Sequence, residues 1–200
     1  TVDWSDALKE QQRNWIGKSK GASIFFEVLG DKNEKVEVFT TRPDTIFGVT
    51  FMVLAPEHDL VSRITTPNQR EDVANYIEKS SGKSERDRQS DVKNISGVFT
   101  GSYAVHPFTG EQIPIWIGDY VLVNYGTGAV MSVPCGDQRD YLFAKHFNLE
   151  IKNIFKDTDI SSSAYEEKTA LITQSDFLND LDSSTASERA IMKTESLKMG

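Results

Sequence analysis

Between Gly97 and Val133 the sequence reads GVFTGSYAVHPFTGEQIPIWIGDYVLVNYGTGAVMSV. Short apolar runs, rich in β-branched and aromatic residues, are cut again and again by Gly or Pro. Segments of this kind pair as short strands joined by tight connections. The pattern favours a β-barrel or an orthogonally folded sheet over a βαβ array. Helical periodicity elsewhere makes the chain a mixed α+β protein, with strands as its centre.

The flanking segments fit that frame. GASIFFEV reads as a strand, and NEK as a turn into VEVFTT, where Val36, Val38 and Thr40 share one face. Pro43 has no N–H and ends the ladder. IFGVTFMVLA reads as a buried strand, APEHDLVSRIT as a helix, and NQREDVANYIEKSSG as a second helix stopping at Gly82. Residues 80 to 93, SSGKSERDRQSDVK, are expected to form an exposed excursion with some helix. DQRDYLFAKHFNL is an amphipathic helix that sets Leu142 or Phe143 beside Phe147. Residues 3 to 15, with Trp4, Leu8 and Gln11 or Trp15 at helical spacing, and SERAIMKTESLKMG at the other end are also expected to be helical. The whole of 1–200 reads as one domain, with 1–15 and 187–200 as helical boundary segments.

Composition removes several functions. A formal charge of −8 argues against a free-standing nucleic-acid binder, since phosphate affinity comes from clustered Lys and Arg. No apolar run approaches the roughly 20 residues of a membrane helix. The single cysteine, Cys135, excludes an internal disulfide and fits a reducing, cytoplasmic setting. His58, His106 and His146 match no metal-ligand spacing, so no metal is expected. There is no P-loop and no nucleophile elbow, and GTGAVM breaks the dinucleotide fingerprint at Met131.

Three local features remain, each with a plain structural reading. In TTRPDT, Asp44 or Thr45 can cap a helical turn while Thr40 and Thr41 bond locally; the rival is a rim of stiff hydroxyls holding a water or a substrate oxygen. In LVNYGTGAVMSVP, the glycines can make a hairpin or let a strand pass close to a ligand. In PCGDQRDY, Asp137 as N-cap with Asp140 three residues on is a relative of the capping box; the rival is a carboxylate held at a pocket mouth to pair with an ammonium. Taken singly, each is better explained by structure than by function.

Taken together and in this order, they resemble the editing domain, the connective-peptide insertion, of bacterial and organellar leucyl-tRNA synthetases. The resemblance runs through QRNWIGKSKGASIFFEV, VFTTRPDTIFGVTFMVLAPEH, the Gly97–Val133 strands, DQRDYLFAKHFNL and LITQSDFLNDLD. The isoleucyl and valyl editing domains share TTRP and GTG but carry histidine where Met131 stands here, and a different acidic pair from DQRD. One departure concerns Gly136, where relatives commonly have His, so no imidazole role carries over.

What this resemblance implies is a β-barrel decorated by helices, the editing-domain fold of class I synthetases. The implied activity is hydrolysis of the ester of tRNA(Leu) charged with norvaline, isoleucine or methionine, with leucine spared. Asp140 would pair with the substrate ammonium, Thr45 would exclude leucine's branched γ-carbon, and Thr40 and Thr41 would line the ester and the attacking water. Leu122, Tyr125 and Met131 would line the pocket, the last two near the terminal adenosine, with Arg42 and Asp137 in support. No cofactor is implied for the domain itself. The expected partners are the 3′ CCA end of tRNA(Leu) and the rest of a synthetase in cis, as a monomer and without a membrane. Neither class I signature, HIGH or KMSKS, occurs, so the chain reads as excised from a larger enzyme and unable to activate an amino acid alone. The alternatives are a non-hydrolytic module that positions the tRNA end, an isoleucyl- or valyl-type editing domain, and an unrelated small-molecule esterase.

Overall fold

The computed structural model describes residues 21–90, 94–124 and 126–198. The helix expected over 3–15 and the residue Tyr125 lie outside them. Strands β1 (Ala22–Val28) and β2 (Asp31–Thr40) form an antiparallel hairpin. Ile24, Phe26, Val28, Val36 and Val38 are buried on one face, while Phe25, Glu27 and Glu37 point the other way, the period of two that a half-buried ribbon requires. The reversal is at Leu29–Gly30, where Gly30 takes φ +88°. The NEK turn is therefore corrected: Asn33–Lys35 lie within β2, because the residue able to adopt positive φ stands earlier.

After β2 the chain enters a 3-10 turn, Pro43–Gly48, and only then strand β3 (Phe51–Leu54). The long strand expected over IFGVTFMVLA is thus reduced to its second half. Pro43 fixes φ at the start of the turn, and the Thr45 amide and hydroxyl both donate to the Arg42 carbonyl, at 3.1 and 2.9 Å. Helices α1 (Asp59–Ile64), α2 (Arg70–Ser81) and α3 (Glu85–Ser90) follow. The excursion over 80–93 is exposed with some helix, as expected, over most of its described residues, and Ser80 and Arg88 are the exceptions. Arg88 is buried, and its guanidinium donates to Glu57 and to the Ser80 carbonyl, pinning α3 to α2.

Strands β4 (Val98–Val105), β5 (Gln112–Ile117) and β6 (Ala129–Ser132) complete one six-stranded sheet in the order β2-β1-β4-β5-β3-β6. All neighbours are antiparallel except β3 and β5. Residues 120–124, expected among the short strands, are part of an irregular connection between β5 and β6. The sheet curls until its two edge strands, β2 and β6, come alongside one another. Among the described residues no ladder joins them, so the barrel keeps an open seam.

The larger core fills the inside of this curl. A second, smaller core lies under α4 (Gln138–Phe147), where Phe143 stacks on Phe51 at 5.2 Å between ring centroids and meets Phe147 at 4.6 Å. The chain then makes an isolated bridge, Phe155 to Ile172, and ends its described course in α5 (Ser183–Lys198). That helix packs on the Pro43–Gly48 turn.

Candidate functional site

Two adjoining cavities open along the seam between β2 and β6. The larger, about 920 Å³, is bounded by the end of β2, by β6, and by the connection that precedes it. The smaller, about 330 Å³, lies beneath the 3-10 turn. Thr40, Met131, Asp137 and Asp140 line both, so the two form a continuous cleft. Its size suits a small-molecule or nucleotide-sized ligand.

The sequence candidates fall around this cleft. Thr41 and Leu122 line the larger cavity, and Arg42 and Thr45 the smaller. Residues separated by about a hundred positions meet because strand pairing brings the two sheet edges to one seam. Met131 sits opposite Met52 on β3, which fixes its place in the register.

The TTRPDT turn combines local bonding with exposure to the cleft. Thr40 Oγ1 accepts the Arg42 N–H at 3.0 Å. That bond leaves the Thr40 hydroxyl hydrogen available to a ligand. Thr45 is 3% exposed, and its hydroxyl is committed to the Arg42 carbonyl. Asp44 caps nothing: the N-cap position of the turn is Arg42, with no side-chain cap. Instead the fully buried Asp44 carboxylate grips Arg42, whose Nε lies 3.1 and 3.2 Å from the two oxygens and whose Nη2 lies 2.9 Å from Oδ2. This bidentate pair fixes the guanidinium plane at the cavity wall.

The DQRD end is built around two carboxylates with different tasks. Asp137 is the N-cap of α4, its Oδ1 accepting from the Arg139 and Asp140 amides at 2.8 and 3.0 Å. Asp140, in the first turn, does not reach back to close a capping box. Its Oδ2 accepts the Val133 amide at 2.8 Å, tying α4 to the end of β6. Burial, reinforced by the Asp137 charge, pushes the Asp140 carboxyl up to about 7, against the pull of the Val133 N–H and of Arg139.

The smaller cavity is acidic in balance. Among the described residues Asp137, Asp140 and Glu166 line it, and the one lining cation, Arg42, is already paired with Asp44. Such a cavity favours a cationic ligand. Glu166 gave no signal in the sequence: it lies in the Ser- and Asp-rich tail, yet its Oε1 accepts the Gln138 amide at 3.3 Å. Tyr120 and Arg139 also line the larger cavity, the guanidinium 5.5 Å from the Tyr120 ring centre. Arg139 carried a hint as part of DQRD; Tyr120 carried none. His106 is structural, held between the Ile46 carbonyl and the Phe108 and Thr109 amides.

A domain of this fold occurs in an aminoacyl-tRNA synthetase of known structure. The crystal structure of a ternary complex of Agrobacterium radiobacter K84 agnB2 LeuRS with tRNA and LeuAMS superposes at a TM-score of 0.68 and 33% identity, over 96% of this chain and 21% of that one. The chain belongs to the leucyl-tRNA synthetase editing-domain family, whose model matches residues 13–195. Relatives include the leucine–tRNA ligases of Flavobacterium johnsoniae, 62% identical over 205 residues, and Flavobacterium psychrophilum, 56% identical over 221. Both alignments cover all of this chain but 21% and 23% of those proteins, so the chain spans about a fifth of their length.

Proposed function

We propose that this domain performs post-transfer editing: it hydrolyses the ester of tRNA(Leu) carrying norvaline, isoleucine or methionine and spares leucine. The observation that carries the reading is the meeting of Asp140 and Thr45 in one small acidic cavity, with Thr40 on its wall. The larger cavity would take the terminal adenosine, and the smaller the aminoacyl group.

Asp140 receives the α-ammonium. In this cleft its charge is disfavoured by burial and by Asp137, and a bound cation relieves both costs. Removing one partner from such a desolvated pair costs roughly 3–5 kcal/mol. Thr45 acts as a steric gate. Because its hydroxyl is held by the Arg42 carbonyl, its bulk, and not a hydrogen bond to substrate, does the excluding. The Thr40 hydroxyl, accepting from Arg42, is oriented to donate to the ester carbonyl or to hold the water, with Thr41 beside it at the mouth of the larger cavity.

An aminoacyl ester is already activated. Water adds to its carbonyl and the ribose oxygen departs; the site needs only to hold the two in attack geometry. The terminal ribose hydroxyl is available to relay the proton. A second, hydrolytic sieve is required because a hydrophobic pocket separates residues differing by a methylene only ~10–200-fold.

The test is to incubate isoleucyl-tRNA(Leu) and leucyl-tRNA(Leu) with the domain and with a leucine–tRNA ligase carrying it. Loss of the isoleucyl ester above buffer background, with the leucyl ester retained, supports the reading. No loss in either protein overturns it in favour of a module that only positions the tRNA end.

A further inference from the structure

The Asp44 carboxylate is held from two sides. From the cleft side comes Arg42, paired with it at 2.9 Å. From the other side come two serines of α5: Ser183 Oγ donates to Oδ2 at 2.7 Å, and Ser187 Oγ to Oδ1 at 3.2 Å. These contacts span 139 and 143 positions of chain. Ser183 and Ser187 lie one helical turn apart, on the same face as the buried Ala186 and Ala190. Small residues there let the helix approach the Pro43–Gly48 turn closely enough for short hydroxyls to reach a carboxylate with no solvent exposure.

The chemistry makes the arrangement interdependent. A buried carboxylate needs its lone pairs occupied, and a guanidinium can satisfy only one edge of it in the bidentate geometry. The serines complete the acceptor set and fix the plane of the carboxylate. That plane in turn fixes the plane of Arg42, whose backbone amide holds the Thr40 hydroxyl and whose carbonyl holds that of Thr45. One residue thus joins α5 to Arg42 and, through the Arg42 backbone, to the Thr40 and Thr45 hydroxyls.

We propose that Asp44 is a positioning residue for the cleft, and that its hold on Arg42 depends on α5 through Ser183 and Ser187. Asp44 touches no substrate; it acts through Arg42. The catalytic consequence rests on the editing function proposed above, whereas the geometric one does not.

The experiment replaces both serines, Ser183→Ala with Ser187→Ala, and in parallel Ser183→Thr with Ser187→Thr. Both positions are partly exposed, so the variants are expected to fold. The first readout is exchange of the Arg42 Nε–H with water, followed by NMR in the domain. It should quicken at least about 10-fold in the alanine pair and stay near the parent value in the threonine pair, which keeps the hydroxyls. The second is deacylation of isoleucyl-tRNA by the full synthetase. Its kcat should fall several-fold in the alanine pair with KM little changed, and Arg42→Lys should add little in that background, since both changes break one linkage. Unchanged Nε–H exchange in the alanine pair overturns the proposal, whatever happens to the melting temperature. If the parent enzyme does not deacylate, the functional reading fails, and the exchange measurement still decides this one. Altered exchange with undiminished kcat would refute the catalytic consequence.

Discussion

Asp140 Oδ2 accepts the Val133 amide at 2.8 Å, so the first turn of α4 is fastened to the residue following β6. The carboxylate is thereby held at the point where the two cavities join. It is also trapped in surroundings that oppose its charge, and the first prediction rests on that conflict.

With the Asp140 carboxyl at about 7, the free domain near neutrality is a mixture of charged and neutral forms. Pairing with an ammonium requires the charged form. The kcat/KM for deacylation should therefore rise with pH through about 7 and level off above it. Asp140→Asn should abolish deacylation at every pH while leaving the fold intact. A profile flat from pH 6 to 8 in the parent would contradict the ammonium role.

The same shift has a consequence for stability, with the opposite direction in pH. The folded carboxyl holds its proton up to about 7, while the unfolded one releases it near the ordinary aspartate value of 3.8. Between these values the native state binds more protons than the unfolded state, so stability declines as pH rises. The whole effect is on the order of 4 kcal/mol. Urea unfolding at pH 5 and pH 8 should show the decline in the parent. Asp140→Asn, which keeps an acceptor for Val133, should largely remove this contribution.

Thr45 separates bulk from hydroxyl. Thr45→Ala should open the smaller cavity and allow correctly charged leucyl-tRNA to be hydrolysed. Thr45→Val keeps the volume and loses the bond to the Arg42 carbonyl, so it should still spare leucine at a stability cost of about 1 kcal/mol. Measuring leucyl-tRNA loss in both variants checks the assignment: an alanine variant that spares leucine would refute the gate.

Gly101 gives a prediction about the fold alone. It takes φ +83° within β4, and a Cβ there would lie 2.0 Å from Thr66 Oγ1. Gly101→Ala combines left-handed strain with a clash and should cost about 2–5 kcal/mol. Thermal or denaturant unfolding reads this directly, and a variant as stable as the parent would show that Thr66 moves freely aside.

Much of the architecture could be read along the chain because it follows local periodicity. Val36 and Val38 alternate as a strand face does, Gly82 marks the end of α2, and Asp137 is the N-cap of α4. The misread segments are those where local pattern competed with a longer-range demand. Ile46 to Gly48 look like strand, but Pro43 and the two Thr45 bonds bend them into a 3-10 turn. Arg88 sits in a run that reads as solvent-facing, and its bonds to Glu57 and to the Ser80 carbonyl accompany its burial.

The cleft divides in the same way. The family was legible along the chain, where TTRPDT, GTGAVM and DQRD in that order resemble the leucyl editing domains whose model matches it. Tertiary structure alone decided how these motifs combine. Open edges of β2 and β6 meet at a seam, Asp140 reaches Val133 instead of closing a capping box, and Asp44 turns from the cleft to α5. Glu166 and the two serines carry no local signature at all. Their roles arise from contacts between residues distant in sequence, and such contacts leave no periodicity or spacing for a single chain to display.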